Sequence, residues 1–498
     1  MRLFASKLHI FTLITLFYLQ LVGCMLGPDF KSPKPPQTKR YTATPLPAKT
    51  ASLRSAGQAG QAQSFAMGQD LPADWWTLFH SKELNQLIQQ GLENSPNLAA
   101  AQAALVQARE AVNVQVGSTL YPALSAQMSA TRQKFSDETF GINNGNNPIF
   151  NLFNPSLSIS YTLDTFGAAR RQIEALRAQV DYQTYLLQAS YLTLTSNIAT
   201  TAITAASFRA QIEATRQLID LQAKTLGIIQ RQFRLGGAAG ADVLTQKTAL
   251  AQTRASLPPL EQNLAKSLHV LAVLIGTLPS EARLPLLRLE QLHLPKRLPL
   301  RLPSVLAKQR PDIQASEALL HAASAQIGVA TANLYPQLTL SGNYGWESDV
   351  ASSLFKPHTL AWAFGGQILQ PVFNGGALMA KKRQAIAAYE QAEAQYRQTV
   401  LQAFQNVADT LRAIENDAEA FRAQREAELA AQNSLRLTQQ QYHLGGVSYL
   451  SLLTAQRQYQ STQIGRIQAQ ASRYNDTVAL FQALGGGWWP KKMEAYKQ

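Results

Sequence analysis

FRLGGAAGADVLTQ at residues 233–246 and YHLGGVSYLSLLTAQ at residues 442–456 are two copies of one part. Laying the LGG at 235–237 on the LGG at 444–446 brings Val243, Leu244 and Thr245 onto Leu452, Leu453 and Thr454 at one constant offset. Glycine just past a helical run is the usual way to stop a helix, because only glycine enters the left-handed region at little cost. Apolar residues recur with helical period on either side, so each copy predicts the tip of a helical hairpin. A phosphate-cradling turn would need a preceding strand and a GxxxxGKS/T or GxGxxG pattern, and neither occurs.

The helices leading to the tips are long. No proline interrupts residues 167–233, about 67 residues or roughly 100 Å of helix at 1.5 Å per residue. Core positions step by four and three through Leu187, Tyr191, Leu194, Ile198, Thr201, Ala205, Phe208, Ile212, Thr215, Ile219, Gln222, Leu226, Ile229 and Phe233. Residues 376–442 repeat the spacing with Phe404, Val407, Leu411, Ile414, Ala418 and Phe421. A sustained 3.5-residue period predicts left-handed coiled coils, although Thr201, Thr215 and Gln222 argue against a wholly dry seam. The returning helices are expected over about 241–275 and 448–484, the first kinked or irregular at Pro258-Pro259.

The duplication extends upstream. One alanine-rich helix runs from Pro96-Asn97-Leu98 to Leu120-Tyr121-Pro122, and another from Pro311-Asp312-Ile313 to Leu334-Tyr335-Pro336. After each Tyr-Pro comes strict alternation: Leu124, Ala126, Met128 and Ala130 against Ser125, Gln127, Ser129 and Thr131; Leu157, Ile159, Tyr161 and Leu163 against Ser156, Ser158, Ser160 and Thr162. The second half answers with Leu338, Leu340, Gly342, Tyr344 and Trp346, then Trp362, Phe364 and Ile368. Each half therefore holds one hairpin of roughly ten-residue strands, the length of a tilted transmembrane strand. Four strands cannot close a barrel, and an open edge cannot persist in lipid, so the chain must oligomerise. Two copies would give eight strands around a filled interior; three would give twelve and a passage, and three are expected.

At the N-terminus, Arg2 and Lys7 precede a fifteen-residue apolar run that ends in LVGC at 21–24. The run is too short for a helical span and reads as a signal peptide, residues 1–23. LVGC resembles a bacterial lipobox, which makes Cys24, the only cysteine, the acylated first residue of the mature protein. Met25 rather than Asp follows it, which favours the outer membrane. Residues 24–70, rich in Pro, Lys, Ala, Gln and Ser, read as an extended lipidated tether. Residues 71–276 form the first repeat, opening at LPADWW; 277–310, with five prolines, a connector packed outside the helices; 311–487 the second repeat; and 488–498 a tail. The formal charge of +14 is scattered, with no basic stripe interleaved with aromatics, so nucleic acid is not an expected partner.

Taken in order, the lipobox, LPADWW, LDTFG at 163–167, RPDI at 310–313, PVFNGG at 371–376 and LGGGW at 484–488 resemble the outer membrane factor family, the TolC-like and OprM-like channels, over essentially the whole mature chain. The resemblance implies a membrane α+β fold: a homotrimer whose twelve-stranded barrel, four strands per chain, continues into a long periplasmic helical tunnel. It implies a passive exit duct of a tripartite RND-type efflux system, with a periplasmic adaptor (membrane fusion) protein and an inner-membrane RND-type pump as partners. The adaptor-binding tip residues carried over are Leu235, Gly236, Val243 and Leu244, with Tyr442, Leu444, Gly445, Leu452 and Leu453. Where the family commonly sets acidic rings after the second tip, this chain has Ser451 and Thr454, leaving Asp242 as a candidate for the tunnel constriction or as a solvated tip residue. The seven histidines form no HExxH, and no CxxC or GxSxG occurs, so neither enzyme, metal nor cofactor is expected. Alternatives are a type I protein-secretion duct, against which the lipobox argues, and a periplasmic coiled-coil scaffold, which leaves the alternating strands unexplained.

Overall fold

The computed structural model describes residues 25–38, 40–134 and 149–487. The signal segment, Cys24, the GINNGNNP loop and the tail from 488 onward lie outside the described residues. Contacts divide the chain into two units: Met1–Pro33, Ala104–Gln183 and Ala315–Tyr396 in the first, Lys34–Ala103, Thr184–Gln314 and Arg397–Gln498 in the second. Each repeat contributes to both. In chain order the elements are β1 (Ser64–Met67), α1 (Lys82–Asn94), α2 (Pro96–Leu120), β2 (Ala123–Lys134), β3 (Ile149–Leu163), α3 (Ala168–Arg234), α4 (Gly240–Ala255), α5 (Leu257–Leu274), β4 (Arg297–Leu300), α6 (Pro303–Leu306), α7 (Pro311–Ala332), β5 (Gln337–Trp346), β6 (Leu360–Leu369), α8 (Ala377–His443) and α9 (Tyr449–Ala483).

The first unit carries a four-stranded antiparallel sheet of order β2-β3-β5-β6. Register aligns the alternation of all four strands: Leu124 faces Ile159, Ile159 faces Gly342, and Gly342 faces Phe364. One face is therefore apolar and open, with Met128, Phe364 and Ile368 each at least 70% exposed. The other is hydroxyl-rich, where Ser125 meets Ser158 at 2.7 Å and Thr162 meets Thr339 at 3.1 Å. The ring of Phe364 lies where a Cβ on Gly342 would stand, so Gly342 is small because its cross-strand neighbour is large. Among the described residues no helix is long and apolar enough to cross a membrane, which bears on helices alone.

LDTFG starts α3. Asp164 accepts from the backbone N–H of Ala169 at 3.0 Å and of Arg170 at 3.1 Å, satisfying two orphan donors of the first turn. Gly167 (φ 79°) permits the turn, and a Cβ there would strike Met25.

Residues 25–70 are not a free tether. Leu26 N–H donates to Phe166 O, and the buried Arg171 donates through Nε to Leu26 O and through Nη2 to Gly27 O and Asp29 Oδ1. Its Nη1 donates to Glu174 Oε2 at 2.7 Å. Farther on, in the second unit, Tyr41 Oη donates to Arg301 O, and β1 pairs in parallel with β4. Isolated apolar residues add to these anchors, with Ala59 in the core of the second unit and Tyr41, Leu46 and Phe65 packed against it, but they follow no periodic pattern. Arg171→Ala is expected to cost the first unit about 3 kcal/mol and to speed tryptic cleavage after Lys31, read by thermal unfolding and limited proteolysis.

The core of the second unit gathers Trp75 and Phe79, Leu84, Leu87 and Ile88 from α1, Ile198 and Ile203 from α3, Leu411, Ile414 and Phe421 from α8, and Tyr474, Val478 and Phe481 from α9. The proline-rich connector belongs to it as well: Leu287, Leu289, Leu292, Leu294, Leu298, Leu300 and Leu306 are buried there, packed into one core with the helices. The α3 seam also differs in part. Past Ile212 the predicted positions Thr215, Gln222 and Ile229 are buried, with Ala214, Leu218 and Thr225 beside them, whereas Ile219 and Leu226 are half-buried and Phe233 is exposed, so one of the two alternating rows of the seam is covered more fully than the other. On α8, Val407, Leu411, Ile414, Ala418 and Phe421 are buried as the spacing predicts. The first return breaks at Ser256, which places Pro258 and Pro259 in the opening turn of α5, where a missing N–H costs nothing.

Asp476 on α9 is pushed up to about 8 by burial and by the neighbouring Asp417 carboxyl, with Arg473 opposing. An unfolded aspartate releases its proton near pH 4, so folding takes up a proton above that value. Stability therefore falls as pH rises from about 4 to about 8. Asp476→Asn should flatten this dependence, raising the unfolding temperature more at pH 8 than at pH 5.

Candidate functional site: the helical tips

Both glycine turns close by one hydrogen-bond scheme. Gly236 N–H donates to Phe233 O and Gly237 N–H to Gln232 O; Gly445 N–H donates to Tyr442 O and Gly446 N–H to Gln441 O. Gly236 (φ 80°) and Gly445 (φ 76°) are left-handed. This is the Schellman arrangement, in which a glycine just past the helix takes positive φ and its own N–H and that of the next residue cap the last carbonyls.

Beneath the turns, in the second unit, Ile229, Ala249, Tyr449 and Leu453 form a small core, with Val243 and Tyr442 packed against it. A polar chain runs through it: Tyr449 Oη donates to Gln246 Oε1, and Gln246 Nε2 donates to Gln222 O at 2.7 Å. Tyr442 Oη donates to Gln232 Oε1 at 3.1 Å. Burial foremost, then the Tyr442 ring oxygen and the Asp242 carboxylate, push the Tyr449 phenol up to about 12, so it remains a donor at neutral pH. Burial and then Asp242 raise Tyr442 too.

The sequence-derived tip residues divide into two sets. Leu235 and Leu444 are each 86% exposed, Leu244 is 65% exposed, and Gly236 and Gly445 are open. Leu452 and Leu453 are buried within the chain, Tyr442 and Val243 half-buried; Leu452 and Leu453 thus support the tip from below and do not present a surface. Leu244 and Leu453 occupy equivalent positions but opposite environments, since one small core between two repeats has room for only one of them. Exposed Leu450 and Phe233 enlarge the apolar tip and escaped the motif comparison, although their apolar identity beside LGG was the available signal. Gln246 and Tyr449 were missed because only packing brings them together.

Asp242 lies in the first turn of α4, where its Oδ2 accepts from Ala239 N–H at 3.3 Å. Ser451 pairs with the N-cap residue Ser448, and Thr454 Oγ1 donates to Leu450 O; both are exposed on α9. All three sit at the tips, Asp242 as a capping group.

The first unit thus carries an open apolar sheet face, and the second carries long helices that end in paired glycine turns. The sequence profile described as "Outer membrane efflux protein" matches residues 87–277 and 302–486. The probable efflux pump outer membrane protein TtgC of Pseudomonas putida is 31% identical over 490 residues, 96% of either chain. The pyoverdine export outer membrane protein OpmQ of Pseudomonas aeruginosa is 33% identical over 423 residues, 83% of this chain and 87% of that one. Among solved structures, the outer-membrane channel OprN superposes with a TM-score of 0.83 at 27% identity, covering 94% of this chain and 100% of OprN. The open state of the Neisseria gonorrhoeae channel MtrE gives 0.78 at 26%, over 93% and 98%. The chain belongs to the outer membrane efflux protein family. It is the outer-membrane channel component of an efflux system, with its helices in the periplasm.

Proposed function

We propose that three copies of this chain close a twelve-stranded barrel and form a passive exit duct for small molecules such as drugs, in a tripartite RND-type system. The observation that carries the reading is the four-stranded sheet with one open apolar face and two strand edges, on β2 and β6, that have no partner among the described residues. Lipid accepts the face but not the edges, so neighbouring copies must pair them.

The exposed tip leucines Leu235, Leu244 and Leu444 supply an apolar end for a periplasmic adaptor. Beside the first tip a groove of about 690 Å³ is lined by Leu226, Leu244 and Leu250 together with Lys247 and Arg254, a composition suited to an adaptor helix carrying apolar and acidic residues. Adaptor engagement shifts the tips from closed to open, and Asp242 with Ser451 and Thr454 lies where a constriction would form. Acylation of Cys24 adds a lipid anchor to the barrel. The inner-membrane pump supplies energy and selects cargo, leaving this chain a geometric role without catalysis.

The test is a deletion strain that retains the adaptor and pump. Accumulation of a fluorescent efflux substrate should rise without the chain and return to normal on its re-expression. Unchanged accumulation with an active pump and adaptor would remove the duct from the pathway.

A further inference from the structure

Inside one chain, the two repeats already meet along a seam. β3 pairs with β5, Thr162 opposite Thr339 and Ser160 opposite Ser341, and just below the strands Phe166 stacks on Tyr335 with ring centroids 4.9 Å apart and an interplanar angle of 27°. The duplicated sequence provides the same two aromatics again, with no ring partner among the described residues. Phe373 follows β6 as Phe166 follows β3, and Tyr121 precedes β2 as Tyr335 precedes β5. Phe373 is 90% exposed and Tyr121 63% exposed.

We propose that the seam between copies repeats the seam between repeats: Phe373 stacks on Tyr121 of the partner subunit, and β6 pairs antiparallel with the partner's β2 so that Gln367 lies opposite Gln127 of the partner subunit. This rests on the trimer reading and deepens it, because that reading requires a β6-to-β2 junction without fixing its register. Aligning Phe166 on Phe373 and Tyr335-Pro336 on Tyr121-Pro122 converts each observed β3-to-β5 pair into one junction pair. Thr162 opposite Thr339 becomes Leu369 opposite Ser125, Tyr161 opposite Leu340 becomes Ile368 opposite Ala126, and Ser160 opposite Ser341 becomes Gln367 opposite Gln127.

Side-chain direction supplies an independent check. In a sheet a slip of one residue exchanges the faces. The junction obtained from the aromatics alone keeps apolar Ile368 with Ala126 on the open face and Gln367 with Gln127 on the hydroxyl-rich face, matching the faces set by the pairings within the chain. All ten residues of β6 find partners within β2, ending with Leu360 opposite Lys134. Slips of two residues preserve the faces as well, and the aromatic pair selects among them. Exposed Phe and Tyr rings have a reason to meet, since offset stacking adds to the burial of two large apolar surfaces.

Cysteine pairs test the register directly, because residues directly opposite are close enough for a disulfide and those displaced by two are not. The chain's single native cysteine, Cys24, makes the unsubstituted protein the blank. Gln367→Cys combined with Gln127→Cys should oxidise in outer-membrane fractions to covalent dimers and trimers, at least fivefold more than Gln367→Cys with Ser125→Cys or Ser129→Cys. Preferential cross-linking at Ser125 or Ser129, or intact native trimers without cross-links in any pair, would overturn the register while leaving the trimer standing. Monomers on native gels would overturn the trimer itself. As a second measurement, Phe373→Ala and Tyr121→Ala should each lower the temperature at which trimers dissociate, and the double variant should fall no further than the worse single one. Additive losses would overturn the aromatic contact.

Discussion

With Phe364 replaced by arginine, the chain is expected to be made and exported to the periplasm but to be absent from outer-membrane trimers. Phe364 lies mid-strand on the apolar face, 70% exposed in the single chain and opposite Gly342. If that face meets lipid, an arginine near the bilayer midplane costs about 2–4 kcal/mol per chain, and a threefold assembly incurs it three times. Ser341→Arg is the matched control: one residue along from Gly342 on β5, it lies on the hydroxyl-rich face opposite Ser160 and Gly365. It should preserve assembly. The measurement is the heat-modifiable trimer band in outer-membrane fractions. Equal assembly of both variants would show that the two faces are not lipid and lumen.

Gly445→Pro should leave trimers in the membrane and reduce export to the level of the deletion strain. Proline fixes φ near −65°, whereas Gly445 stands at 76° and its N–H donates to Tyr442 O. Substitution therefore dismantles the cap of α8 and the return into α9, at about 3 kcal/mol or more. The effect is confined to the tip because nothing lies within 4 Å of a Cβ built there. Gly445→Ala is strained only in its backbone, at about 1–2 kcal/mol, and should retain most export. Drug accumulation with trimer abundance held equal separates the two, and full export by the proline variant would remove the tips from the mechanism.

The strands and tips were legible because each rests on a strong local rule. A period of two over ten residues fixes which side chains share a face, and glycine after a helical run fixes a positive φ. The N-terminal segment was not legible, since what holds it is the Arg171 fork onto the carbonyls of Leu26 and Gly27, β1 pairing and scattered apolar contacts of Tyr41, Leu46, Ala59 and Phe65, none of which leaves a periodic apolar pattern. The leucines of residues 287–306 were visible, but prolines break their spacing, and burial beside Trp75 and Phe481 arises only from the three-dimensional packing. At the tips the motif located the site but could not distinguish Leu244 from Leu453, because near-identical repeats packed on each other need not be equivalent. On α3 the spacing located both rows of the seam, but full burial passes from Ile198, Ala205 and Ile212 to Thr215, Gln222 and Ile229, a handover that sequence spacing does not encode when a helix is buried by more than one neighbour.

The mass of the complex extracted from outer membranes in mild detergent, measured by native mass spectrometry, bears most directly on the claim that one chain is a third of a channel wall. Three copies are expected, held together without covalent links and dissociating only on heating. A stable single copy, folded with its apolar sheet face intact, would contradict it.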